Sequence, residues 1–318
     1  MSPTVSIVIP LYNKEKWIEK TLSSLLNQTF SDWEAIIVDD GSTDRSIEVV
    51  ETFIQKNPGN WILLKNQNAG QCRTRNSGIA RANGEFIAFL DADDIWSKNK
   101  LTEQVAILRE NSDISLVISP YLIFSDLNKK ENHRLVLHGN PKRMLTRWLK
   151  MKGYGAGTES TGMTRSTLLK SIGGFDESLS TSAGLYLTIE LSKRGQIAFS
   201  NRCLMAYRIH TGQWHSDLEV LAKDMGALRN SSSKIMGSSP KSLEAWHGAY
   251  LKIAQSRKNG RLFDIFLEDG TPSKNFFLRI VLLLNILARN ALSRIRGRFA
   301  RQICRFAPED FEEFTKGF

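Results

Sequence analysis

The stretch Phe86-Ile87-Ala88-Phe89-Leu90-Asp91-Ala92-Asp93-Asp94 decides the fold class. An apolar run drives straight into three carboxylates within four positions. A short apolar run bounded by polar residues reads as a buried strand. Its end should therefore present Asp91, Asp93 and Asp94 to solvent. Ligands of α/β sheets bind at the carboxyl ends of strands. Clustered carboxylates repel one another unless a cation or hydrogen-bond donors hold them. Oxygen-only ligands suit Mg²⁺ or Mn²⁺, with phosphate oxygens completing the shell. The competing reading is an acidic strand-to-helix turn with one Asp capping the next helix.

Upstream, the same pattern repeats. Residues 5–9 form a β-branched run that Pro10 should stop. Residues 33–38 run into Asp39-Asp40-Gly41-Ser42-Thr43-Asp44, again carboxylates at a strand end. A third short strand is expected at 61–64. Helical periodicity covers 17–27, 47–54, 71–82 and 101–108. Strands alternating with helices imply an α/β fold with a mostly parallel central sheet flanked by helices. After Ser112 the pattern loosens. A strand pair is expected across 116–124, a polar and basic excursion at 129–147, and a glycine loop at 153–157. Helices are expected at 167–172 and 187–193, and strands at 197–199 and 205–209. Residues 217–258 read as helical.

The chain has 318 residues and a formal net charge of +10. Such charge favours anionic partners. Cys72, Cys203 and Cys304 are odd in number and far apart, which argues for a reducing compartment. The first residues show neither a basic segment before the apolar run nor a cleavage pattern, so no signal peptide is expected. No apolar run reaches the roughly 18 residues of a membrane span. The expected location is the cytoplasm, peripheral on the inner face of the membrane.

Six motifs carry a resemblance. They are Val-Ser-Ile-Val-Ile-Pro-Leu-Tyr-Asn (5–13), Val-Asp-Asp-Gly-Ser-Thr-Asp (38–44), Asn-Ala-Gly-Gln-Cys-Arg-Thr-Arg-Asn-Ser-Gly (68–78), Asp-Ala-Asp-Asp (91–94), Gly-Gly-Phe-Asp-Glu-Ser-Leu (173–179) and Tyr-Arg-Ile-His (207–210). Their order and spacing over roughly the first 215 residues resemble glycosyltransferase family 2, the inverting nucleotide-sugar enzymes with a Rossmann-like GT-A fold. The resemblance implies a nucleotide-sugar-binding half at 1–110 and an acceptor-binding half at 111–216. A helical region at 217–275 and a basic amphipathic tail at 276–318 would make a helical C-terminal extension.

The family roles fit the residue chemistry. Tyr12, just past strand one and braced by Pro10, can stack on a pyrimidine. Asp40 can accept a hydrogen bond from a uracil imide, while Asp39 suits a turn. Arg75 can reach the base or the diphosphate. Asp91, Ala92 and Asp93 form the DxD motif, whose carboxylates would hold Mn²⁺ or Mg²⁺ against the diphosphate. His210 matches a position that can complete the metal site. Each residue also has a structural reading: Tyr12 as core, Arg75 on a solvated helix face, His210 as a hydrogen-bonded strand end.

The chain departs from the family on the acceptor side. Relatives carry an acidic pair there that supplies the general base of an inverting displacement. Ungapped counting puts Ala183 and Gly184 at those positions. Three explanations stand open: a base from elsewhere, an acceptor that needs little activation, or a catalytically impaired nucleotide-sugar-binding relative. Glu190 is one candidate, although it lies roughly 10 Å further along a helix at about 1.5 Å per residue. Asp176, Glu177 and Glu159 are the other nearby carboxylates. A nucleotidyltransferase would want a basic, glycine-rich phosphate loop after strand one, and Leu11-Tyr12-Asn13-Lys14 is not one.

In the tail, Arg289, Arg294 and Arg296 share one side of a helix, and basic charge continues through Arg298, Arg301 and Arg305. This is the signature of an interfacial helix drawn to anionic lipid. The competing reading is a core or dimer-interface helix with a basic solvated side. No aromatic-interleaved pattern accompanies the arginines, so no nucleic-acid partner is expected. The expected partners are a nucleotide-sugar donor, a glycan or lipid-linked acceptor, and an anionic membrane surface through 276–318.

Overall fold

The first apolar run becomes the middle of the main sheet. In the computed structural model, β1 (Val5–Leu11) pairs in parallel with β2 (Trp33–Asp40) on one side and β4 (Phe86–Phe89) on the other. Both faces of β1 are covered, and Val5, Ile7, Val8, Ile9 and Leu11 are fully buried. Each such side chain contributes about 1.5–3 kcal/mol relative to exposure. The structure describes residues 2–125, 134–136, 159–179 and 183–210. All of them belong to one unit, Met1–Leu145 with Gly155–Trp214. The second unit, Thr146–Tyr154 with His215–Phe318, lies outside the described residues. So do the expected helical region 217–275, the tail 276–318, the glycine loop and most of the 129–147 excursion.

The chain alternates as its periodicity predicts. Helix α1 (Ile18–Leu26) leads to β2, then α2 (Ser46–Lys56), β3 (Trp61–Asn66), α3 (Gln71–Arg81) and β4. A two-residue strand, β5 (Ile95–Trp96), and α4 (Lys100–Glu110) follow, then β6 (Ile114–Ile118), β7 (Tyr121–Ser125) and β8 (Arg134–Val136). A 3₁₀ turn at Glu159–Thr161 enters β9 (Gly162–Arg165), α5 (Ser166–Ser171), α6 (Ala183–Ser192), β10 (Gln196–Phe199) and β11 (Met205–Ile209).

The main sheet has seven strands in the order β10-β6-β9-β4-β1-β2-β3. All pairings are parallel except those of β9, which runs antiparallel to both β4 and β6. A second sheet, β5-β11-β7-β8, was not foreseen from the sequence. It brings the end of β11 beside the loop that follows β4, because β5 pairs with β11. Among the described residues no helix is long and apolar enough to cross a membrane.

Two sequence expectations need correction. Pro10 does not stop β1, which continues to Leu11 with Pro10 opposite Val38. The Leu90 N–H donates to the Val8 carbonyl, so Val8 and Pro10 both face the β4 side. Pairing with β4 ends at Val8, and the missing proline N–H lies beyond it, where no ladder bond is lost. Second, two of the three carboxylates after β4 are not in solvent: Asp93 is 8% exposed and Asp94 0%, while Asp91 is half-buried.

Helix α3 sits unusually close to the sheet. A Cβ added at Gly78 would lie 2.4 Å from Val8 Cγ1. That approach sets Arg75, one turn earlier, over the carboxyl end of β4.

Candidate active site

The loops at the carboxyl ends of β1 and β2 are sewn together. Asn13, at φ 53°, donates its N–H to Ser42 Oγ at 3.1 Å and accepts the Thr43 N–H on Oδ1 at 2.8 Å. Asn tolerates this left-handed backbone better than most residues. The Lys14 N–H donates to Ser46 Oγ at 2.7 Å. Asp39 accepts the Gly41 and Ser42 N–H groups, the turn role its position suggests. Asp40 accepts the Ala69 and Gly70 N–H groups at 2.8 and 3.1 Å, tying β2 to the start of α3. Tyr12 projects from this platform 45% exposed, so its ring is open to a partner.

Beyond β4, protein cations and donors hold the three carboxylates. Arg75, 1% exposed, reaches Asp91 Oδ1 at 2.6 Å. Phe175 of the Gly-Gly-Phe motif packs 5.3 Å from its guanidinium, and Asn76 clasps that motif through Phe175 N and O. Lys14 Nζ lies 2.6 Å and His210 Nε2 3.0 Å from the same oxygen, Asp93 Oδ2. Trp17 stacks on the His210 ring at 3.8 Å, fixing its plane. Ser160 accepts the Asp91 N–H and donates to Asp94 Oδ2 at 2.6 Å. The Arg208 N–H donates to Asp94 Oδ1, and its Nε donates to the Asp93 carbonyl.

These environments separate the three acids. Burial would raise Asp93, but His210 and Lys14 outweigh it and hold the carboxyl down at about 2. Burial pushes Asp91 up despite Arg75. Asp94 rises well above the usual carboxylate range, through burial and then the Asp93 and Asp91 charges. Neighbouring acids pushed apart in this way are common at functional sites and also occur in structural ion-pair networks.

Ala183 and Gly184 begin α6, as the ungapped count requires. Glu190 lies on the same helix, but its carboxylate is taken by Lys193 and Arg194, the latter at 3.0 Å. Burial would raise its pKa, yet these two cations hold it below the ordinary value. A cleft beside the main sheet is lined on α6 by Gly184, Leu187, Thr188 and Leu191, and Glu190 is not on that face. The structure thus keeps this candidate base away from the cleft. Glu159, from the 3₁₀ turn, does line it. Asp176 caps its own turn through Ser178, and Glu177 accepts from Asn76.

The structure brings Asp91, Ala92, Asp93, Arg75 and His210 together, with Pro10, Tyr12 and Asp40 at the neighbouring strand ends. Sequence reasoning missed Lys14, Trp17, Ser160 and Arg208. Lys14 adjoins one quoted motif and Arg208 lies within another, which was an available signal, whereas Ser160 carried none.

Among the described residues no three His, Cys, Asp or Glu side chains form a metal-binding group. Asp91 Oδ2 and Asp93 Oδ1 stay outside the hydrogen bonds given above. A hard divalent ion takes one or two carboxylates plus phosphate and water oxygens. The donor set fits Mn²⁺ or Mg²⁺ in the company of a diphosphate.

Comparison with known proteins identifies the family and the fold. The family model described as glycosyl transferase family 2 matches residues 6–170, more than half of the chain. The UDP-Glc:alpha-D-GlcNAc-diphosphoundecaprenol beta-1,3-glucosyltransferase WfgD of Escherichia coli is 40% identical over 123 residues, 38% of this chain and 47% of that enzyme. An uncharacterized glycosyltransferase of Haemophilus influenzae is 33% identical over 154 residues, 45% of this chain and 61% of that protein. The chain thus spans about half the length of these curated relatives. Among solved structures, S. aureus TarS 1-349 in complex with UDP-GlcNAc superposes with a TM-score of 0.56 at 22% identity, covering 80% of this chain and 81% of that one. The mannosyltransferase PcManGT from Pyrobaculum calidifontis, in complex with GDP-Man and Mn²⁺, gives 0.58 at 17% identity, covering 92% and 81%. At these identities the structural likeness speaks for the fold.

Proposed function

The chain belongs to glycosyltransferase family 2 and has the GT-A fold, and from that premise we propose that it is an inverting transferase. It moves a sugar from a UDP-sugar to a glycan or lipid-linked acceptor in surface polysaccharide synthesis. The observation that carries this reading is the pairing of Arg75 and Lys14 with Asp91 and Asp93 at the carboxyl ends of β1 and β4. Two cations and two acids at one sheet edge suit a diphosphate that enters with its own negative charge. The UDP-Glc donor and diphosphoundecaprenol acceptor in the name of the E. coli relative support the same substrate class.

In this reading the exposed Tyr12 ring stacks on the uracil, and Asp40, fixed by Ala69 and Gly70, stands at the base pocket. Arg75 and Lys14 orient the diphosphate and offset its charge. Asp91 and Asp93 would hold Mn²⁺ or Mg²⁺, which supplies electrostatic stabilisation of the departing nucleoside diphosphate. Trp17 and Phe175 keep His210 and Arg75 in place, so the donors are aimed before substrate arrives. The acceptor side is assigned to the start of α6, where Gly184 meets Glu159. The donor domain at 1–110 and acceptor portion at 111–216 follow from this division of labour. The basic segment 276–318 brings the protein to an anionic membrane surface, where a lipid-linked acceptor resides.

The test is UDP release from a panel of nucleotide-sugars with Mn²⁺ or Mg²⁺, beside calorimetric titration with UDP. Turnover of a UDP-sugar is expected, and Asp93→Asn is expected to abolish it. Ala183 and Gly184 favour one alternative, a catalytically impaired nucleotide-sugar-binding protein. UDP binding without turnover of any donor selects that alternative.

A further inference from the structure

Attack by an acceptor hydroxyl requires a group to take its proton. Helix α6 begins with Ala183 and Gly184, neither of which can do so. The space beside Gly184 is nevertheless not empty of acid. A Cβ built on Gly184 would lie 2.5 Å from Glu159 Oε1 and 2.7 Å from its Cδ. The Glu159 carboxylate therefore stands in the volume that a side chain at position 184 would fill. A side chain at position 184 would displace it.

The placement is firm on both sides. Glu159 opens the 3₁₀ turn Glu159–Thr161, and the next residue, Ser160, bonds to both Asp91 and Asp94. The Trp96 indole donates to the Ser160 carbonyl at 2.8 Å. The backbone of Glu159 is thus fixed to the acidic loop that follows β4. Arg75 Nη1 lies 3.7 Å from Glu159 Oε1, close enough for charge attraction and too far for a hydrogen bond. The buried Arg75 Nη1 and Nε have no hydrogen-bond partner among the described residues.

Every other carboxylate around the site is engaged. Asp91 is held by Arg75, Asp93 by Lys14 and His210, and Asp94 by Ser160. Glu190 is held by Lys193 and Arg194, Asp176 by Ser178, and Glu177 by Asn76. The Glu159 carboxylate makes no hydrogen bond among the described residues. Its side chain is 20% exposed, and it lines the cleft with Gly184, Thr161 and Thr188.

We infer that Glu159, supplied by the 3₁₀ turn, is the catalytic base that takes the acceptor's proton in place of a carboxylate on α6. The inference rests on the transferase reading above. In the step, the acceptor O–H proton passes to a Glu159 oxygen. The electron pair left on the acceptor oxygen forms the new bond to the anomeric carbon. The bond from that carbon to the diphosphate oxygen breaks, and UDP leaves with its pair.

The test uses the full chain, with UDP release from UDP-glucose and UDP-GlcNAc in Mn²⁺ and water as the acceptor. Glu159→Gln is expected to lower kcat by about 10²–10⁴-fold. UDP affinity by calorimetry should stay at the wild-type value, and any fall in melting temperature, from the weakened attraction to Arg75, should be smaller than that of Arg75→Met. The carboxylate is then moved across the gap. Glu159→Gly combined with Gly184→Asp is expected to recover at least about tenfold of the rate lost in Glu159→Gly alone, the recovery being transition-state stabilisation restored. A Glu159→Gln enzyme within about threefold of wild-type kcat overturns the assignment, since base catalysis is worth far more. A loss of rate that tracks lost UDP affinity, with no recovery in the swap, also overturns it and makes Glu159 a structural partner of Arg75. A wild-type chain that releases no UDP from these donors or from the wider nucleotide-sugar panel rejects the transferase reading and the base with it. An active wild type with an unaffected Glu159→Gln rejects Glu159 alone.

Discussion

Arg75 shows how the same residue serves folding and function. Its guanidinium is buried between Asp91 at 2.6 Å and Glu159 at 3.7 Å. Burial alone would lower its pKa, but these two charges outweigh that and raise it. Removing one partner of a buried ion pair leaves the other charge uncompensated, which costs about 3–5 kcal/mol. Arg75→Met should therefore destabilise the chain by about 3 kcal/mol in urea unfolding near neutral pH, besides weakening UDP binding. A variant as stable as wild type would show that Asp91 and Glu159 are readily hydrated or protonated in its absence. Arg75, Asp91 and Asp93 were legible because each falls in a contiguous motif. The exposure of the acids was misread because their partners are remote in sequence. Lys14 comes from the loop after β1, 79 residues from Asp93, and Ser160 is 69 residues from Asp91. Single-sequence pattern reading detects local periodicity and cannot see which donors the topology folds over a carboxylate. For the same reason Glu159 stood in the sequence only as one of several nearby carboxylates, because its place beside Gly184 is set by the topology.

At the level of elements, legibility followed burial period. The strands β1, β2 and β4 are buried continuously or nearly so, and their apolar runs stood out between helical stretches, while β3 is only half-buried and then exposed. By contrast β5 has two residues, and β9, Gly-Met-Thr-Arg, has no period of its own. It exists because β4 and β6 both need an edge partner there. The close approach of α3 was also invisible. Since a Cβ at Gly78 would meet Val8 Cγ1 at 2.4 Å, Gly78→Val forces α3 away from β1. Such overpacking should cost about 1–3 kcal/mol in urea unfolding. Adding Val8→Ala should return part of that loss, and the absence of any return would place the strain elsewhere. Lys100, at the start of α4, gives a pH test. It is fully buried, with Nζ donating to Gln104 Oε1 at 2.6 Å and to the Thr161 carbonyl at 3.1 Å. Burial holds its pKa well below the lysine range. The unfolded lysine titrates near about 10.4, so between the two values the unfolded state binds more protons. Stability contributed at this residue therefore rises with pH across that window. Lys100→Met removes this slope. Its stability relative to wild type should be more favourable near about pH 7 than near about pH 10. A difference independent of pH would mean that Lys100 keeps its proton in the folded chain.

For the molecule as a whole, charge is distributed along the chain in a way that bears on where the reaction occurs. From Arg279 to Arg305 the sequence holds seven arginines and no acidic residue. Near an anionic bilayer, a basic side chain contributes about 1 kcal/mol, and the attraction decays within a Debye length, about 8 Å at physiological salt. Seven such charges together suffice for measurable binding without a span, and the apolar residues among them, such as Val281, Leu282 and Leu283, can add to it. The protein should therefore float with vesicles containing phosphatidylglycerol and remain in the dense fraction with purely zwitterionic vesicles. Flotation should fall when salt approaches about 1 M, where screening shortens to about 3 Å. A full-length variant with Arg289, Arg294, Arg296 and Arg298 changed to Gln should float less while keeping its UDP affinity. That second reading separates the membrane contact from the donor site, whose cations, Lys14 and Arg75, are untouched. If the variant and the wild type float equally, the arginines do not hold the membrane. A dimer interface would then be the better account of the basic segment, and sedimentation of the same variant as a monomer would establish it.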